Sequence, residues 1–169
     1  MVRQTVIRAS DDVPVATLAA TLKGAKPEDQ VALVAKLAAR DAKGCTPAVA
    51  ELLKSDQEAV VCAALRALVK IGGADQVPAI LALTSREGAV GRSATETLND
   101  LRDPATGKTL IALATKDPAL QVRVLNILGE RTEAALVPQF EPFLKSDNAD
   151  TRKEAWKALG KQDPEVFFK

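Results

Sequence analysis

This chain of 169 residues contains no histidine, which removes much of the chemistry that side chains perform near neutral pH. An imidazole proton shuttle, a histidine-bearing triad and a histidine metal site all need a residue type that is absent. Tyr is absent too, and two cysteines, Cys45 and Cys62, are too few for a four-thiolate zinc centre. Cys45 falls at a turn and Cys62 near the start of the next helical segment, toward the opposite edge. A disulfide needs Cα atoms within about 7 Å, so both thiols are expected free. These residues predict no catalytic group, no metal ligand and no cofactor, hence a chain that is not an enzyme.

Polar groups do recur. Asp117 is followed by Arg123 and Asp147 by Arg152, each pair crossing a joint between helical segments. Such pairs could hold an anion. The plainer reading is a structural ladder in which the Arg bonds the loop Asp or loop carbonyls and fixes spacing. Lys54-Ser55-Asp56 and Lys145-Ser146-Asp147 also match; lysines there complement helix C-termini. The chain holds 23 Lys+Arg and 22 Asp+Glu, and residues 1–85 carry 10 basic and 9 acidic side chains, so no field of one sign is available to steer nucleic acid or an anionic membrane. Apolar runs such as 31–37 and 59–65 are far shorter than a membrane span. Residues 1–10 lack the apolar run of a signal peptide, which favours a cytoplasmic location as an expectation.

The elements that must position these groups repeat every 30–31 residues. Leu37, Leu68, Leu98, Leu128 and Leu159 form one ladder of apolar anchors, and Leu22, Leu53, Leu83, Ala114 and Leu144 a second between them. Two interleaved ladders with one period mean a two-helix unit copied along the chain. Gly and Pro sit at the joints, as at Lys23-Gly24, Thr46-Pro47, Gly72-Gly73, Asp103-Pro104 and Asp117-Pro118. Gly24 suits a left-handed C-cap, and Thr46 an N-cap. The fold expected is all-α: a right-handed α-solenoid of antiparallel helix pairs, one domain over 1–169. Four full repeats (28–55, 56–85, 86–116, 117–146) are flanked by partial ones at 1–27 and 147–169. Both ends interrupt a repeat, so the chain reads as a piece of a longer protein.

Subtracting the buried ladder from the second helices leaves two outward rows. One is Thr17, Ala48, Pro78, Thr109 and Gln139; the other is Ala20, Glu51, Leu81, Ala112 and Pro142. Glu51, Pro78, Leu81, Thr109, Ala112 and Gln139 are the candidate contacts on the concave face. Small, mostly uncharged side chains let another backbone approach closely, which suits a peptide or helix better than phosphates. Phe140 and Phe143 fall on inward positions. Trp156 fits either core or surface, and Phe167 and Phe168 follow it near the C-terminus.

The repeats resemble HEAT repeats of the short bacterial, HEAT-like (PBS-lyase) type. Val122-Arg123 precedes Ile127-Leu128-Gly129, and Thr151-Arg152 precedes Ala155-Trp156-Lys157-Ala158-Leu159-Gly160, similar to that family's first helix. Gln76-Val77-Pro78-Ala79-Ile80-Leu81 and Leu136-Val137-Pro138 are similar to its second helix. The match spans about 28–162 and weakens over 86–100, where Gly88 and Gly91 stand. The resemblance implies a protein-interaction scaffold, expected to bind a protein or peptide; the charge balance and short apolar runs add the expectation of no nucleic acid and no membrane, and the chain is expected to be a monomer. A nucleic-acid-binding solenoid is the alternative, against which the candidate rows hold no Lys or Arg; an accessory domain of a larger enzyme or lyase is another.

Overall fold

The computed structural model describes residues 13–131 and 133–162. Among these, every regular element is helical. The α-helices are α1 (Val15–Leu22), α2 (Pro27–Ala39), α3 (Thr46–Glu51), α4 (Glu58–Ile71), α5 (Val77–Leu83), α6 (Ala89–Asp100), α7 (Thr106–Lys116), α8 (Gln121–Arg131), α9 (Glu141–Leu144) and α10 (Ala149–Gln162). Short 3-10 turns link several of them. The chain divides into two compact units, Met1–Asp103 and Pro104–Lys169, with the boundary at the Asp103-Pro104 break.

The helices begin where the sequence supplies a start. Proline stands in the first two positions of α2, α3, α5 and α9, where its missing N–H is not needed. Glu28 and Asp29 add negative charge to the first turn of α2. In α4 the apolar spacing is wide enough to bury nine residues, from Val60 to Ile71. Gly72 then takes an extended conformation and ends that helix.

In the first unit the longer helices stack, α2 on α4 and α4 on α6, while α1, α3 and α5 lie on the adjoining side. In the second, α8 packs on α10, flanked by α7 and α9. The first ladder is core throughout: Leu37, Leu68, Leu98 and Leu128 are fully buried and Leu159 nearly so. Each such leucine contributes about 1.5–3 kcal/mol on burial.

The second ladder holds at Leu22, Leu53 and Ala114, but Leu83 and Leu144 are only half-buried. The register slips at α5. Pro47 and Pro78 each occupy the second position of their helix, so the equivalent of Leu81 is Ala50, not Glu51. Leu81 accordingly turns into the core.

Two local expectations need correction. Gly24 is not left-handed: among the described glycines only Gly88, with φ 82°, has positive φ. The chain leaves α1 instead through turns closed by Gly24 N donating to Thr21 O and Ala25 N donating to Leu22 O. Thr46 is the first residue of α3 rather than its cap. Its hydroxyl stands 2.8 Å from Lys43 O and 2.5 Å from Ile71 O, tying the start of α3 to the end of α4. Gly91 has a steric reason: a Cβ there would collide with the carbonyl oxygen of Arg86, so the loop before α6 packs on a bare backbone.

Candidate functional site

In the first unit, α1 and α3 lie side by side with the first turn of α2 beneath them, and a cavity of about 480 Å³ opens between them. Ala19, Ala20 and Leu22 come from α1, Ala48 and Glu51 from α3, and Leu52 from the turn that follows it; Lys23 and Gln30 complete the lining. The alanines make this space, because any longer side chain at positions 19, 20 or 48 would fill it. Leu22 and Leu52 form the buried floor.

The rim is polar. Lys23 is exposed, and Glu51 is exposed in an ion pair with Lys54 at 3.0 Å. Gln30 fixes one wall by donating from Nε2 to the carbonyl of Leu22 at 3.1 Å, a second donor beside Ala25 N on that acceptor at the end of α1. The cavity thus combines an apolar floor, close backbone and opposite charges at the edge, which suits an extended or helical peptide segment.

The six residues singled out as contacts scatter differently. Glu51 lines the cavity, beside Ala20 and Ala48 of the two outward rows. Pro78 is exposed on α5 but outside this cavity. Leu81 is 2% exposed and presents no surface to a partner, a correction that follows from the slipped register. Thr109 and Gln139 are half-buried and Ala112 is exposed, all in the second unit.

The Asp and Arg pairs do not form ion pairs with each other among the described residues. Asp117 accepts from Ala119 N at 3.0 Å and caps its own turn. Arg123 is half-buried on α8. Arg152 donates from Nη1 to the carbonyls of Ser146 and Asp147, at 2.7 and 2.9 Å.

Other side chains also tie neighbouring repeats, and sequence reasoning passed over them. Gln121 donates to Ala114 O at 3.3 Å, as Gln30 does to Leu22 O, and accepts from the Thr151 hydroxyl at 3.2 Å. Asp103 accepts from Ala74 N at 3.0 Å, 29 residues away. Asn126 donates to Glu154 at 3.1 Å, Lys161 pairs with Glu130, and Gln162 donates to Leu128 O at 2.7 Å. Burial pushes the Glu154 carboxyl up, but hydrogen bonds from Lys157 and Asn126 and the charges of Lys157 and Lys161 outweigh it, leaving it below its ordinary range. The legible signal was Gln or Thr near the start of first helices, at positions 30, 121 and 151, separated by whole multiples of the period.

Cys45 and Cys62 are both free and buried, and burial raises the Cys45 thiol above its usual range. No group of three His, Cys, Asp or Glu residues that could hold a metal gathers among the described residues. Among them also, no helix is long and apolar enough to cross a membrane.

Comparison with known proteins agrees on the architecture. The family described as HEAT repeats matches residues 15–99. A subunit in the complex of CpcE and CpcF of phycocyanin lyase from Nostoc sp. PCC7120 is similar in structure, with a TM-score of 0.56 and 19% identity over 94% of this chain and 70% of that one. An engineered protein is similar at a TM-score of 0.50 and 20% identity, covering 95% of this chain and 84% of its own. At these identities the likeness is one of fold. No curated protein matches the chain.

Proposed function

The chain belongs to the HEAT-repeat family, and from that premise we propose that it is a non-catalytic scaffold that binds a protein segment on its second helices, at the cavity between α1 and α3. The observation that supports this reading most is the cavity itself. Its alanine walls and leucine floor leave room for an incoming side chain, and Lys23 and Glu51 offer one charge of each sign to orient it. The similar solved structure of CpcE and CpcF is of a protein complex, which favours a protein partner over a small molecule. A sequence with no histidine offers no imidazole for general acid–base chemistry at this site.

Selection of peptides from a random display library on the whole chain tests the proposal. Peptides so enriched should lose about tenfold or more in affinity, roughly 1.4 kcal/mol, when Ala48→Glu fills the cavity. They should be indifferent to Ala82→Glu, a change at an exposed position of α5 outside it. Peptides that ignore Ala48→Glu, or a library that yields none, would count against the site.

A further inference from the structure

Lys23 follows the buried Leu22 at the end of α1, as Lys54 follows Leu53 and Lys145 follows Leu144. In the two later repeats the lysine has a glutamate one turn before it on its own helix. Lys54 pairs with Glu51 at 3.0 Å, and Lys145 with Glu141 at 2.6 Å. One turn before Lys23 stand Ala19 and Ala20 instead. These are the alanines that hollow the wall of the cavity between α1 and α3. One feature of the sequence thus does two things there. It opens the space, and it leaves an exposed ammonium at the mouth without the carboxylate that its counterparts have. Glu51, on the other lip, is engaged by Lys54, so the unmatched charge at the mouth is positive.

The walls also restrict the backbone of whatever enters. They are helices, whose amide groups bond within the helix. The carbonyl of Leu22, where α1 ends in the lining, already accepts from Ala25 N at 3.4 Å and Gln30 Nε2 at 3.1 Å. Among the described residues no strand offers a sheet edge for a partner to extend. No aromatic ring lines the cavity, so a polyproline segment has nothing to stack on. An extended segment would therefore bury N–H and C=O groups with little to receive them, whereas a helix satisfies its own and brings only side chains.

Resting on the reading of this cavity as a docking site, we propose that its occupant is an amphipathic helix of a partner protein, with apolar side chains three and four residues apart entering the cavity and a Glu or Asp one turn away meeting Lys23. The chain supplies the apolar floor and the cation; the partner supplies the carboxylate that α1 lacks. Burial against Leu22 and Leu52 carries the affinity. The pairing with Lys23 is made at an exposed rim, so it sets orientation and encounter rate more than strength.

The probes are peptides of about 16 residues, roughly four helical turns, enriched on the whole chain from a random display library and weakened by Ala48→Glu. Their sequences should align on apolar residues at helical spacing with an acidic residue one turn from the first. A proline at the centre of such a peptide should weaken binding by about tenfold or more, and a lactam bridge on its outer face should tighten it. Lys23→Glu should slow association by about fivefold at low salt. Replacing the peptide's acidic residue by Lys should restore the rate on that variant and slow it on the parent. Lys116→Glu, the same change of charge at an exposed position of the second unit, should leave the rate unchanged. Peptides that respond to Ala48→Glu but tolerate the central proline, or that show no crossed rescue at Lys23, would overturn the helix proposal and leave the docking site standing. A library yielding no peptide weakened by Ala48→Glu would overturn both.

Discussion

Replacing Thr46 by valine should destabilise the first unit by about 1–3 kcal/mol, the usual penalty for leaving a buried acceptor without its donor. The side chain is 9% exposed, and its Oγ1 lies 2.5 Å from the carbonyl oxygen of Ile71 and 2.8 Å from that of Lys43. Ile71 is the last residue of α4, so its carbonyl has no partner inside the helix and depends on a side chain from elsewhere. Valine keeps the shape and removes the hydroxyl, so the change isolates the hydrogen bond from packing. Thr46→Ser is the control: it keeps the hydroxyl and loses a methyl, worth about 0.8 kcal/mol. In a chain this long each kcal/mol moves the melting temperature by about 2–4 °C, so Thr46→Val should lower it by roughly 2–12 °C. Urea unfolding monitored by circular dichroism measures the free energy directly, provided the transition of the first unit is resolved. Stability of Thr46→Val within about 0.5 kcal/mol of the parent, or Thr46→Ser falling as far as Thr46→Val, would refute the claim that this hydroxyl ties α3 to α4.

Other consequences can be checked in the same preparations. Gly129→Leu should destabilise the second unit by about 1–3 kcal/mol, because the added side chain must displace Ala158 on the facing helix; unfolding free energies unchanged from the parent would contradict that contact. Burial holds the Cys45 thiol protonated beyond its unfolded range near 9.0, so the native state binds more protons there, and stability should fall as pH rises past that value. Cys45→Ala should flatten this loss, and an unchanged slope would show that another group is responsible. Mixed-sequence duplex DNA should bind more weakly than about 10⁻⁴ M at physiological salt, since 23 basic and 22 acidic side chains leave little to release counterions; tight, salt-sensitive binding in a filter or anisotropy assay would argue for the nucleic-acid alternative.

The repeat period and the first ladder were legible because they rest on large apolar residues at fixed spacing, and burial at Leu37, Leu68, Leu98, Leu128 and Leu159 follows directly from it. The second helices were harder. They are short, α3 gives way to a 3-10 turn after Glu51, and a one-residue difference in joint length rotates every outward position by about 100°. Leu81 was misplaced for that reason, and the shared second-position prolines Pro47 and Pro78 were the available correction. The polar ties were illegible for another reason. Gln30 and Gln121 bond to backbone carbonyls, which every residue carries, so no partner residue in the sequence announces them. The cavity was only half visible: Ala20, Ala48 and Glu51 could be placed on outward rows, but the depth that Ala19 and Gln30 give it depends on how α1, α2 and α3 meet.

The most direct test of the scaffold reading is to map where a bound segment touches the chain. A photo-cross-linking residue placed in turn at Ala20, Ala48, Ala35 and Arg66 would be irradiated with a display-selected peptide bound, and the adducts located by mass spectrometry. The account predicts adducts from positions 20 and 48, at the cavity between α1 and α3, and none from positions 35 and 66 on the first helices α2 and α4. Adducts confined to 35 and 66 would contradict it and move binding to the first-helix face.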